Sequence, residues 1–224
     1  MPTIETVGSA IAAAGALGTA AYGLVDATKV FGGGVSRAGF GYIHRAVAPY
    51  VTVANQGDAV FGSTQILDTL KANWMNGMAK ADQKAVAKSL IRLVLKPTTA
   101  EKMAQLAGVD PAHLKAAAEK VYNGEPIADQ DMKALGAFDV AVSATLDLGY
   151  ERADQVYRNA AKIVAAIIAL ALAVGAALIL PGFDARRLLI AIMVGLVATP
   201  LAPMAKDVSS ALQTAVKAVG VFKR

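Results

Sequence analysis

The chain has 224 residues, no cysteine and a net charge of +5, so disulfides, thiolate nucleophiles and iron–sulfur ligation are excluded, and with His44 and His113 as its two histidines a zinc site is not expected. Hydrophobic residues make up 55% of the chain but aromatics only 6%, and this excess of Ala, Val, Leu and Ile is the mix of small-residue helices rather than of an ordinary soluble core. No cofactor or metal is expected, and the modest positive charge suits either an anionic membrane surface or nucleic acid until its placement is known.

The first element is an uncharged run of 19 residues at 7–25, VGSAIAAAGALGTAAYGLV. It is weakly apolar, being mostly Ala and Gly. Gly15, Thr19 and Gly23 stand four apart on one helical face, with Gly8 and Ala12 extending a similar pattern. Such faces let helix backbones approach closely in a bilayer. A cleaved signal peptide is the rival reading. It lacks its basic start, since no Lys or Arg precedes the run and Glu5 stands there. A retained transmembrane span within 1–29 is the expectation.

A Gly-rich break, FGGG at 31–34, follows. Beyond it Phe40, Ile43, Val47, Tyr50 and Val51 recur at near-helical spacing among Arg37, His44, Arg45 and Pro49, too polar for a span. Segment 30–62 is read as this break plus an interfacial helix, with Phe40, Tyr42 and Tyr50 at headgroup depth. A surface helix packed on the next domain fits equally well. GGGVSRAG at 32–39 matches neither a phosphate-binding loop nor a nucleophile elbow, and GFGY at 39–42 has no pore helix around it.

Residues 63–158 read as a helical cytosolic domain. Val86, Leu90, Leu93 and Val94 form a stripe, ended by Pro97. Thr98 and Glu101 suggest a capping box, Gly108 a stop, Asp110-Pro111 a new start, and Asn123-Gly124 another stop. AEKMAQLAGVDPAHLKAAAEKV at 100–121 looks like a helix-turn-helix through Ala104, Gly108, Val109 and Leu114. Its second helix offers Ala116, Ala117 and Ala118 with His113, Lys115 and Lys120, and no Arg, Gln or Asn to read base edges. A plain helical hairpin is the better reading. Asp82, Glu101, Glu119, Asp129 and Asp131 read as solvated acids rather than catalytic ones.

From Asp129 no proline intervenes until Pro181, so one helix is expected to run from the cytosol into the membrane, with Gly136 and Gly149 as its weak points. Within 159–205 lie two uncharged runs of 18 residues, 163–180 and 188–205. Each rises about 27 Å as a helix and nearly matches a hydrocarbon core of about 30 Å. Between them Pro181 and Gly182 stop the first helix, Asp184 caps the second, and Arg186 and Arg187 sit at headgroup depth. The pair reads as a membrane hairpin with 181–187 as its tip. Pro200 and Pro203 read as the end of the last span. The tail, 206–224, places Leu212, Val216, Val219 and Phe222 on one face of an amphipathic helix.

The fold class expected is therefore all-α, with three transmembrane helices and the cytosolic domain inserted between the first and second. Lys29, Arg37 and Arg45 follow the first span, Arg152, Arg158 and Lys162 precede the second, and Lys206, Lys217, Lys223 and Arg224 follow the third. Three spans put all of them on one side, which the positive-inside rule makes cytoplasmic. The expected place is a bacterial-type inner membrane, with the N-terminus and hairpin tip outside and Arg186 and Arg187 against the rule. No ionisable residue interrupts a span, so the mark of a proton relay is missing. No catalytic constellation emerges, and a non-enzymatic homo-oligomeric scaffold or ring in contact with lipid is expected. A pore built from the same helices is the first alternative, and a membrane-tethered DNA-binding regulator the second.

Overall fold

A computed structural model describes residues 4–53, 62–179, 181 and 184–200. Every regular element among the described residues is helical. In chain order these are α1 (Ile4–Ala27), two short 3-10 turns at Thr28–Val30 and Gly34–Arg37, α2 (Phe40–Thr52), α3 (Ser63–Met75) and α4 (Lys80–Val94). Then come α5 (Ala100–Ala107), α6 (Pro111–Asn123), α7 (Asp129–Ile179) and α8 over 185–200. The chain divides into two compact units: Ser36–Tyr157, and a second made of residues up to Val35 and from Arg158 onward.

In the Ser36–Tyr157 unit α2 to α6 and the first part of α7 surround one apolar core. Ile43 and Val47 of α2, Ile66 and Leu70 of α3, Ile91 of α4, Met103 of α5 and Leu114 of α6 are all fully buried in it. From α7 come Phe138, Val142, Leu146 and Tyr150, four residues apart along one stripe. Burying a side chain of this size stabilises by about 1.5–3 kcal/mol. The interfacial role expected for α2 is thereby corrected. Ile43, Val47, Tyr50 and Val51 face this protein core, and Tyr50 meets Phe138 edge-on with centroids 6.3 Å apart. Of the aromatics assigned to headgroup depth only Tyr42 is exposed, with Arg45 over its ring at 5.2 Å.

Two glycines set how closely α2 lies on α7. Gly39, at φ 93°, ends so near Ala153 that a Cβ there would stand 2.3 Å from the Ala153 carbonyl oxygen. One Cβ on Gly149 would stand 2.7 Å from the Cβ of Ala46. Gly149 is thus a packing notch, and neither it nor Gly136 interrupts α7. The helix ends are partly as expected. Asp110 accepts the backbone N–H of His113 at 3.0 Å with Pro111 in the first turn. Gly108 and Gly124 close α5 and α6. The Thr98–Glu101 box is replaced, because Thr99 occupies the cap of α5 and its hydroxyl accepts the N–H of Lys96 at 2.9 Å.

A charged seam runs beside the core. Residue Lys80 meets Glu151 at 2.7 Å, Lys84 meets Asp147 at 2.6 Å, Lys88 donates to Ser143 at 3.0 Å, and the Nε of Arg92 donates to Asp139 at 2.8 Å. On α4 the numbers climb by four while on α7 they fall by four, which is the register of antiparallel helices in contact. Each seam residue from Lys84 on follows a buried one: Gln83, Ala87 and Ile91 on α4, and Phe138, Val142, Leu146 and Tyr150 on α7. Of the expected stripe, Val94 lies in the core and Val86 and Leu90 pack partly buried against it. Leu93 is exposed, whereas Gln83 is buried and its amide donates to the Met78 carbonyl at 2.6 Å. Burial pushes the neighbouring Tyr150 phenol up to about 12.

Asp139 anchors this seam, being mostly buried and shared by Arg92 and Lys88, while Glu151 is 61% exposed. Asp139→Asn should cost about 1.5–3 kcal/mol and Glu151→Gln less than about 1 kcal/mol. Denaturant unfolding of the whole chain, followed by the fluorescence of the single tryptophan, Trp74, measures both. Trp74 reports on this unit because its Nε1 donates to the Ser36 carbonyl at 2.7 Å and its ring meets Tyr157 edge-on. Equal costs at the two positions would refute the anchoring role of Asp139.

Candidate membrane-facing site

The other unit sorts its side chains by size. Along α1 the buried positions are Ala14, Gly15, Gly18, Ala21 and Val25. On α7 they are Ala165, Ala169 and Ala173, and on α8 they include Gly195 and Ala198. Ala21, Val25, Ala165, Ala169 and Ala198 form one cluster. Most bulky aliphatics point away: Ile163 and Ile167 are each 61% exposed, and Leu178, Ile179, Leu189 and Leu196 also face outward, while Leu17, Val164 and Ile168 pack partly buried against the cluster. In water this arrangement forgoes the burial of the largest side chains and hides those that gain least from it. In a bilayer it is the arrangement that close helix packing requires.

The contact is tight where the residues are smallest. A Cβ on Gly195 of α8 would stand 2.8 Å from the Cα of Leu170 and 3.3 Å from the Ala169 carbonyl oxygen, so α7 and α8 touch at the backbone. Among the described residues two helices are long and apolar enough to cross a membrane, α1 through Ala10–Ala27 and α7 through its later part. Only 17% of the α7 window is buried, unlike the core helix of a soluble protein, which is mostly covered. α8 is described over 16 residues, fewer than a span of about 18–20. The remainder of the expected third run, 201–205 with Pro203, lies outside the described residues, as do Gly182 and the tail face of Leu212, Val216, Val219 and Phe222.

The residues expected at the hairpin tip meet as follows. The Leu188 N–H donates to the Asp184 carbonyl at 3.1 Å, which makes Asp184 the cap position of α8. Arg187 donates through Nη1 to the Pro181 carbonyl at 2.8 Å and so satisfies an acceptor beyond the end of α7. Arg186 is exposed. Of the small face on α1, Gly15 is buried within the chain, and the Thr19 hydroxyl donates back to the Gly15 carbonyl at 2.9 Å. Thr19 and Gly23 are exposed, and a Cβ on Gly23 would meet nothing within 4 Å. At about 100° per residue, Gly23 points nearly opposite the buried Ala14, Gly18, Ala21 and Val25. The chain's own packing thus uses another face.

One acid read as solvated is not. Asp131 is 5% exposed, and its carboxylate takes Lys120 Nζ at 2.7 Å and His113 Nδ1 at 2.9 Å. The hydrogen bonds from Lys120 and His113 hold its carboxyl below the usual value of 3.8, against the opposing effect of burial. His113 and Lys120 are seven apart, two turns along one face of α6, which was the available signal. Asp82, Glu101, Glu119 and Asp129 are exposed as expected. Ser36 is buried and its carbonyl holds Trp74, so it is no exposed nucleophile. GFGY starts α2 instead of forming an extended filter. Among the described residues no group of three His, Asp or Glu side chains stands close enough to hold a metal ion.

No family model, curated protein or solved structure matches this chain. The α7–α8 contact carries its own test. Gly195→Ala should drive the helices apart and cost about 1–3 kcal/mol, whereas Gly175→Ala, with open space around the added methyl, should cost nothing measurable. Loss of helicity in mixed micelles of rising denaturing-detergent fraction compares the two. A Gly195→Ala protein as stable as the parent would disprove the backbone contact.

Proposed function

We propose that this chain is a multi-pass membrane protein without catalytic activity, whose copies assemble into a membrane-embedded scaffold or ring. The observation that carries the reading is the size sorting around α1, α7 and α8, with mainly alanines and glycines inside and most isoleucines and leucines outside. Water would favour the reverse order, and lipid solvates the large aliphatic side chains without penalty. In this reading α1, the later part of α7, and α8 with the residues after it are the three spans. The Ser36–Tyr157 unit and the C-terminus lie on the cytoplasmic side, following the basic residues that flank the spans.

Self-assembly is supported by the face that the chain does not use for itself. Thr19 and Gly23 leave a shallow, small-residue strip on α1, a helix that lipid alone holds weakly because it is mostly Ala and Gly. A second copy of the chain is the proposed partner. The alternative of DNA binding lacks comparable support, since His113 and Lys120, two of the three polar groups on α6 that would face a groove, are engaged by Asp131. A conducting lumen has no observation in its favour, and conductance in planar bilayers would reveal one.

Two measurements test this reading. Cysteines introduced at Thr3 and at Ser89, in a chain that has none of its own, should react with an impermeant reagent from opposite sides of sealed vesicles. Reaction of both from one side ends the three-span topology. Gly23→Leu should shift the particle to smaller species by mass measurement in mild detergent, with helicity unchanged. Gly15 is unsuitable for the same purpose, because it is buried inside the chain. A Gly23→Leu particle of unaltered mass removes the case for this face as the assembly contact.

A further inference from the structure

Between α1 and α2 the chain holds two large apolar side chains in the open. Val30 is 84% exposed and Phe31 82%, and both forgo apolar burial if water surrounds them. They are carried on a hydrogen-bonded turn. The Phe31 N–H donates to the Thr28 carbonyl at 3.0 Å, Gly32 to Val30 at 3.1 Å and Gly34 to Phe31 at 3.3 Å. The Thr28 hydroxyl ties the turn to α1 through the Val25 carbonyl at 2.6 Å. Gly32, Gly33 and Gly34 have φ of 65°, 94° and 45°, a left-handed course that other residues rarely follow. A Cβ on Gly34 would stand 2.4 Å from the Thr28 hydroxyl, so glycine is also required for space. A mere spacer needs none of this.

The position of the turn identifies what covers it. It begins where the apolar window of α1 ends, at Ala27. Val35, directly after it, joins the cluster that includes Ala161 and Val164 of α7. Those two residues bracket Lys162, the last charged residue of α7, after which no charge appears up to Leu180. The turn therefore shares the level at which both helices pass from charged to apolar sequence, Asp26 and Lys29 lying beside the end of one apolar run and Arg158 and Lys162 just before the other. We infer that Val30 and Phe31 seat in the headgroup–acyl boundary of the bilayer that α1 and α7 cross, as an apolar wedge fixing the depth at which α1 leaves it. The inference rests on the membrane reading above and adds to it a specific lipid-contacting element.

Spin labels on Phe31→Cys and, separately, Val30→Cys test it in the full chain, since both sites are exposed and the chain has no other cysteine. The protein is reconstituted in phosphatidylcholine vesicles containing phosphatidylglycerol. Collision rates are measured with oxygen, which concentrates in lipid, and with a water-soluble nickel chelate. Ile167→Cys marks the apolar part of α7 and Ser89→Cys marks water. The wedge predicts that labels at both turn positions collide with nickel several-fold less than Ser89, and with oxygen more, at a depth shallower than Ile167. A lipid-like Ile167 with a water-like Phe31 and Val30 overturns the wedge and leaves the membrane reading intact. Water-like behaviour at Ile167 as well removes the membrane reading and the wedge together. Poor access of both reagents to the turn labels means that protein covers them, which also overturns the wedge.

Discussion

The constraint on which the rest depends is the continuity of α7. One helix of 51 residues supplies the core stripe of one unit and the small-residue face of the other. Its sequence must therefore satisfy two packing rules in succession. Up to Tyr157 the buried positions are large, Phe138, Leu146 and Tyr150 among them, and acids beside them face the lysines of α4. After Lys162 the buried positions are alanines, and the exposed ones include Ile163, Ile167, Leu172, Leu178 and Ile179. No proline or cap separates the two regimes. The helix holds through the change because its backbone hydrogen bonds are internal and independent of what surrounds it.

In the first regime, specificity comes from charge placed beside apolar burial. A stripe of apolar contacts is non-directional and by itself resists only weakly a slide of α4 by one turn against α7. The seam of Lys84, Lys88 and Arg92 against Asp147, Ser143 and Asp139 does not permit it, because a shift of one turn leaves an end charge without its partner. Such pairs contribute little stability singly when exposed. Their use is in selecting one alignment, and the glycine notches at Gly39 and Gly149 then fix where α2 crosses.

In the second regime, specificity comes from the absence of side chains. Gly195 lets α8 touch the backbone of α7, and Ala165 and Ala169 continue the same shallow surface. On the proposed membrane reading, dispersion over well-matched small faces has to supply the association, since lipid would offer large aliphatic groups an equally good environment. On the proposed reading, the exposed Thr19 and Gly23 repeat that logic between copies of the chain.

Much of this was legible along the chain. Uncharged length announced the candidate spans, the lack of proline from Asp129 to Pro181 announced α7, and Asp110-Pro111 announced the start of α6. These are local properties, set by residues near one another, and backbone chemistry decides them before any long-range contact forms. Which face of each helix turns inward was not legible in the same way. Gln83 is polar and buried, Leu93 is apolar and exposed, and α2 has the composition of an interfacial helix yet lies in a core. Asp131 resembles any solvated acid until His113 and Lys120 are brought to it across a turn. Gly15 and Gly23 look alike on one stripe, and only the arrival of α7 and α8 on the far side of α1 separates them. The sequence by itself determined the helices and their polarity, because those depend on neighbours in the chain. Only the tertiary structure decided the partners, because a helix face acquires its meaning from whatever is packed against it.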